Sequence, residues 1–329
     1  MTVYCQEDRH GDVLEDTWNG VGRVRIPVSR GGPIGTVIFD LKSALHACGK
    51  GDLVLTLGYN TALFCAFYRL RGTPNLINMD GMEWQRAKWS TPARAWLHLN
   101  ERLGCLLGSH LIADHPEIEV HLRTRVPSSK ITMIPYGGEE VQNADPSVLI
   151  SLGLEQNRFA LVVARPEPEN RVLEMVKAFS AARRSVPLVI LGEYDSLRNP
   201  YHRAVMAAAS EEVLFLGAVY KKEVLDSLRR WARLYLHGHT VGGTNPALVE
   251  ALAAPTAVLA HDNRFNRWVA GSAACYFSDT ASCERAIRAL LPDSERLDKM
   301  RIASRARFRE AFEWDTILSQ YEELLARWV

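Results

Sequence analysis

Short runs of apolar and β-branched residues alternate along this chain with stretches whose apolar positions recur every three to four residues. The runs RVRIPV (23–28), DLVLTL (52–57), PNLINMD (74–80), SHLIAD (109–114) and KITMIP (130–135) predict buried strands. STPARAWLHLNERLGCLL predicts a helix with Thr91 as N-cap and Pro92 in the first position. The polar stretch EEVQNADPSVLISLGLEQN (139–157) weakens the pattern and reads as a linker. Strand signals then resume in RFALVVAR (158–165), PLVILG (187–192), EVLFLG (212–217), ARLYLHG (232–238) and PTAVLA (255–260). Helical patterns separate them near 170–184, 200–210, 221–230 and 246–253. Near-continuous apolar strands between helices imply parallel sheets covered on both faces. The chain therefore reads as α/β, with two Rossmann-like, doubly wound domains facing a cleft. Their expected extents are 1–145 and 155–311, and a closing helix over 312–329 is expected to pack back towards the first domain.

Composition narrows the class. The 329 residues are 47% hydrophobic and 23% charged with a net charge of +1, so the chain can bury large cores and shows no basic excess to attract nucleic acid. Cys5, Cys48, Cys65, Cys105, Cys275 and Cys283 form no CxxC pair and fit buried thiols in a reducing compartment. MTVYCQEDRH lacks a secretory pattern, and Gly58, Asn60 and Arg69 break the most apolar stretch. A cytoplasmic protein is expected.

In open α/β sheets ligands bind beyond the carboxyl ends of strands. The stretch HGHTVGGTNPALVEAL (237–252) follows such a strand. Asn245 suits an N-cap and Pro246 the first helical position, while Gly242 and Gly243 bare the backbone just upstream. A helix start offers N–H groups and a positive dipole end, which suits a diphosphate. The same residues also fit a plain strand-to-helix turn with its cap. Glu250, one turn in, leans back towards that end and could reach ligand hydroxyls, or is an ordinary surface glutamate. Asp80 reads equally as a site residue or a helix cap. His237 and His239 lack a third ligand at useful spacing, so no metal is expected. No Asp-x-Asp, G-x-G-x-x-G, G-x-S-x-G or Walker A pattern occurs.

Four stretches carry a family likeness. ARPEPENRVLEMVKAF resembles the arginine-containing loop of GT-B glycosyltransferases of family 4, and VGGTNPALVEALAAPTAVLAHDNRFNRWV resembles that family's donor-binding loop and helix in its rhamnosyltransferase-like branch. NMDGMEWQRAKWS and FEWDTILSQYEELL are similar to the branch's acceptor-side motif and closing helix. The resemblance implies a retaining, metal-independent transferase with no cofactor beyond its donor substrate. That donor would be a nucleoside-diphosphate sugar, dTDP-rhamnose first, with UDP- and GDP-sugars as alternatives. The acceptor would be lipid-linked or a growing surface polysaccharide. It implies that Arg165 neutralises the donor diphosphate and Arg171 adds a second charge. Gly242, Gly243, Thr244 and Asn245 would cradle phosphate, Glu250 would hold the ribose, and Asp262 and Asn263 would border the sugar. Asp80 and Glu83 would face the acceptor. Trp84, Arg86, Lys88, Trp89 and Arg94 interleave aromatic and basic groups, which suits either peripheral membrane contact or a partly buried, salt-bridged loop.

The chain departs from the pattern in three places. Gly242 stands where the family's first paired glutamate would fall, and Glu169, Asn170 and Arg171 occupy the stretch where a lysine is common. Met1 directly precedes TVYC, so the branch's usual first β-α unit is expected to be missing, leaving an interior-type strand with one open flank. A non-catalytic sugar-nucleotide-binding protein is the main rival reading, and an epimerase of the same fold the weaker one.

Overall fold

A computed structural model describes residues 1–86 and 88–329. They divide into two compact units: unit 1 comprises Met1–Trp84, Thr91–Met133 and Glu323–Val329, and unit 2 comprises Gln85–Ser90 and Ile134–Glu322.

Unit 1 begins with β1 (Thr2–Glu7), β2 (Leu14–Trp18), β3 (Val21–Pro27) and α1 (Gly32–Ala47). There follow β4 (Val54–Leu57), α2 (Ala66–Arg71), β5 (Asn75–Asn78), α3 (Thr91–Leu107), β6 (His110–Ala113), α4 (Pro116–Leu122) and β7 (Ile131–Met133). β4 to β7 form a parallel sheet in sequence order, and its central strands carry Leu76, Ile77, Leu111, Ile112 and Ala113 fully out of water. The first three strands depart from the expected all-parallel pattern. They make a separate sheet, β1-β3-β2, in which β2 runs antiparallel to β3. Asn19 and Gly20 both take positive φ, 48° and 80°, the conformation of the tight hairpin turn that joins them. Arg23 forms a two-pronged pair with Asp16 across the hairpin, and Arg25 pairs with Glu7 and Asp16, so charges rather than apolar alternation hold β2. β1 pairs with β3 alone among the described residues, and Val3 is 44% exposed.

Unit 2 contains α5 (Ser147–Ser151), β8 (Ala160–Val163), α6 (Val172–Ser180), β9 (Leu188–Leu191), α7 (Pro200–Ala207) and β10 (Val213–Gly217). It continues with α8 (Lys222–Trp231), β11 (Leu234–His237), α9 (Pro246–Ala253), β12 (Val258–His261), α10 (Arg264–Ala270) and β13 (Ala274–Phe277). α11 (Thr280–Leu290), α12 (Ser294–Ala311) and α13 (Trp314–Leu325) close the chain. Within the stretch 139–157, Leu149 of α5 and Leu154 are buried in this unit's core. The six strands are parallel in the order β10-β9-β8-β11-β12-β13. Strand residues alternate between two cores, as the pleat requires. Ala160, Val162, Leu188, Ile190, Leu234 and Leu236 pack with α6, α7 and α11 through Phe179, Val205 and Ile287. Leu161, Val189, Tyr235 and Val258 pack on the opposite face with Leu228, Leu248, Leu252 and Phe308. The order of the strands reverses between β8 and β11, which is where a doubly wound sheet opens a ligand crevice.

Candidate functional site

The loops after β8, β11 and β12 meet beyond that point of reversal. Thr240 donates from both its N–H (3.0 Å) and its Oγ1 (2.9 Å) to the Glu169 carbonyl, tying the β11 loop to the β8 loop. Asn263 and Asn266 each donate from Nδ2 to the His239 carbonyl at 2.9 Å, tying the β12 loop to the same place. Asn170 Nδ2 holds the Arg165 carbonyl at 2.8 Å. Gly238 lies so close to the β8 loop that a Cβ there would sit 2.3 Å from the Asn170 carbonyl oxygen. Three loops, the first with a 3-10 turn over Pro168–Asn170, are thus fixed mainly by side-chain-to-backbone bonds, a preorganised frame for a ligand.

On this frame stand most of the residues singled out from sequence. Arg165 is exposed at the end of β8. Arg171 takes a left-handed backbone, φ 51°, and its guanidinium is 3.0 Å from Glu174. Gly242 has φ 128°, a region side chains rarely enter, and Gly243 and Thr244 are buried beside it. Asn245 caps α9 by accepting from the Ala247 N–H at 3.0 Å, with Pro246 in the first turn. Asn263 caps α10, accepting from Phe265 and Asn266. Asp262 forms a two-pronged pair with Arg267 at 2.5 and 2.8 Å, which holds its carboxyl below the usual range. Glu250 pairs with Arg229, whose side chain is only 6% exposed, so its carboxylate already has a cation to balance.

The remaining candidates divide between the two units. Asp80 and Glu83 belong to unit 1. Asp80 has φ 48° and donates its N–H to Asn78 Oδ1, and the buried Glu83 donates its N–H to the Tyr59 hydroxyl at 2.9 Å. The aromatic and basic run is split. Trp84 donates its indole N–H to Glu101 at 2.5 Å and lies against His98, and Arg94 donates to the Trp84 carbonyl at 2.8 Å, all in unit 1. Glu101 is 2% exposed and also meets His121 and Arg125, which lower its pKa against the effect of burial. Arg86, Lys88 and Trp89 belong to unit 2, with Lys88 over the Trp89 ring at 4.8 Å. Ala87, within the same motif, lies outside the described residues.

Two arrangements at this site go beyond the sequence reading, which named His237, His239 and Arg86 for other roles. His237 and His239 are enclosed at the end of β11, and neither His237 ring nitrogen nor His239 Nδ1 has a hydrogen-bond partner among the described residues. Burial, then His239 and His261, push His237 well down. Burial, then Arg86 and Arg165, push His239 down to about 3, so both rings are neutral. The second feature is Arg86 beside Glu169, with Nη1 3.9 Å from Oε1. No local pattern could join residues so far apart in sequence.

The comparisons with known proteins agree with this architecture. Residues 150–307 match the family model of glycosyl transferases group 1, and residues 18–139 match a domain of unknown function (DUF1972). No curated protein matches the chain by sequence. Among solved structures it is similar to sucrose-phosphate synthase from Thermosynechococcus elongatus, with a TM-score of 0.79 and 16% identity over 99% of this chain and 88% of that one. HepE from Anabaena, in complex with UDP and glucose, gives 0.77 and 15% over 93% and 86%. A UDP-forming α,α-trehalose-phosphate synthase from Burkholderia vietnamiensis gives 0.72 and 11% over 99% and 93%. The chain thus has the α/β, Rossmann-like fold of the GT-B glycosyltransferases and carries a glycosyltransferase group 1 domain over residues 150–307.

Proposed function

We propose that this protein is a retaining, metal-independent glycosyltransferase of family 4, rhamnosyltransferase-like branch, that takes its sugar from a nucleoside-diphosphate donor held in unit 2. The carrying observation is the convergence of the β8, β11 and β12 loops around Arg165 and the start of α9. A leaving diphosphate gains negative charge as the sugar bond breaks, and a guanidinium with a helix N-terminus is suited to stabilise it. Arg165 takes that role, with Arg171 as an outer charge. Gly242, Gly243, Thr244 and Asn245 cradle the phosphates, Glu250 holds the ribose, and Asp262 and Asn263 border the sugar. The acceptor is assigned to Asp80 and Glu83.

The sequence likeness favours dTDP-rhamnose as donor and a lipid-linked or polysaccharide acceptor, with the protein working in the cytoplasm. No helix among the described residues is long and apolar enough to cross a membrane. Exposed Lys88 and Arg94 are the groups left to meet an anionic lipid surface. UDP-glucose is a second donor reading, favoured by the HepE complex with UDP-glucose, at a TM-score of 0.77. The test is release of nucleoside diphosphate from dTDP-rhamnose, UDP-glucose and a GDP-sugar, with excess chelator and with a lipid-diphosphate glycan as acceptor. Acceptor-dependent release is expected from one donor. Binding of donors with no release under any condition would favour the non-catalytic reading.

A further inference from the structure

We propose that Arg86 and Glu169 both contact the donor: the Arg86 guanidinium neutralises a phosphate seated against Gly242, and the Glu169 carboxylate accepts hydrogen bonds from hydroxyls of the attached sugar. The inference rests on the donor-site reading above and adds two residues to it.

Glu169 is the starting observation. Its side chain is 5% exposed, and neither carboxylate oxygen has a hydrogen-bond partner among the described residues. The Arg86 nitrogen nearest to it, at 3.9 Å, lies beyond direct hydrogen-bond length. An enclosed carboxylate without hydrogen bonds is costly, because desolvation is not offset by new donors. The loop does not need that carboxylate for its shape. The main-chain carbonyl of Glu169 makes the two bonds from Thr240, and the neighbouring Asn170 side chain makes the turn bond to Arg165. The carboxylate is therefore spare acceptor capacity aimed into the frame of loops. A carboxylate accepts and cannot donate, so its complement is a hydroxyl or amide and not a phosphate.

Arg86 supplies the opposite complement. It lies over the bare part of the β11 loop, where a Cβ on Gly242 would be 4.0 Å from Nη2. That contact would be an ordinary one, so it is the φ of 128° and not space that calls for glycine at 242. Burial first, and then Arg86 and Arg165, keep His239 neutral, so both guanidiniums act on the same ring. Two guanidiniums, a helix start and an acceptor-only carboxylate in one frame match an anion bonded to a polyhydroxyl group. Arg86 lies on Gln85–Ser90, within the run that sequence alone offered to a membrane surface.

The test uses the full chain and calorimetric affinities for UDP, UDP-glucose, dTDP, dTDP-rhamnose and GDP at two salt concentrations. Loss of one charge-assisted phosphate contact in Arg86→Ala is expected to weaken the diphosphate about tenfold and to flatten its salt dependence, with Arg86→Lys in between. Glu169→Gln is expected to leave the free diphosphate within about twofold, to weaken the sugar-bearing form about fivefold, and not to lower the melting temperature. If wild type binds and Arg86→Lys or Arg86→Ala binds equally well, the inference is overturned while the donor site stands. Equal weakening of both ligand forms in Glu169→Gln, with a lower melting temperature, would make Glu169 a structural support and overturn its role. A wild type that binds none of the five overturns the donor-site reading and this inference with it.

Discussion

His237 and His239 lie ring on ring at the end of β11, with centroids 4.4 Å apart and planes 13° from parallel. Such stacking needs uncharged rings, because two imidazolium ions at that distance would repel in an enclosed place. Both have folded-state pKa values below 6.5, His239 at about 3, with burial as the largest cause. The unfolded chain therefore binds protons that the folded chain refuses. Stability contributed by the neutral pair is fully present above about pH 6.5 and is lost as pH falls towards 3. His239 should contribute a slope of about 1.4 kcal/mol per pH unit inside that window, and His237 acts in the same direction. Denaturant midpoints should hold from pH 7.5 to about 6.5 and fall steadily below it, and His239→Asn should remove about one proton from the slope. An identical slope in that variant would place the acid sensitivity elsewhere.

Arg165 is exposed just past the end of β8, so its side chain can be removed without opening a core. Loss of a contact that strengthens as the leaving group forms costs on the order of 3 kcal/mol in the barrier. Arg165→Ala should lower kcat about a hundredfold while leaving the melting temperature within a degree or two. Single-turnover rates with whichever donor supports acceptor-dependent release would decide it, and a rate close to wild type would pass the diphosphate to another cation.

Gly238 couples the stability of unit 2 to its ligand frame. A methyl group there would sit 2.3 Å from the Asn170 carbonyl oxygen, 2.9 Å from Met175 Cε and 3.0 Å from Arg171 Cβ. The β8 and β11 loops must separate to admit it, which should cost about 1–3 kcal/mol by overpacking. Gly238→Ala should therefore lower the denaturant midpoint and weaken nucleoside-diphosphate binding together. Unchanged affinity in a destabilised variant would show that the two loops need not touch to hold the ligand.

Most strands of the two parallel sheets were legible as short, predominantly apolar runs. Their ends were mostly read one to three residues too far: RFALVVAR pairs only over Ala160–Val163, since the run continues past the last ladder bond. α9 matched its reading at Pro246–Ala253, where a cap, a proline and a helical pattern all agree. β2 was missed because LEDTW carries charge where a buried strand would be apolar, although Asn19-Gly20 is a strong hairpin signal. β13 went unread because ACYF is short and only partly buried. At the site, the loop positions of Arg165, Gly242 and Asn245 follow from strand order. The partners of Glu250 and Glu169, namely Arg229 and Arg86, are tertiary neighbours that no spacing rule reaches.

The chain passes between its two units after Trp84, Ser90, Met133 and Glu322. Modular inheritance is constrained by that path. A single recombination event near residue 134 would move the loops of unit 2 into a new lineage but leave Gln85–Ser90, with Arg86, behind in the parental half. Glu169 would then meet whatever residue the other parent carries opposite it. Donor preference in such chimeras should follow the six-residue insert as well as the larger cassette, so swapping activities by one crossover would yield mismatched hybrids until that short segment travels too.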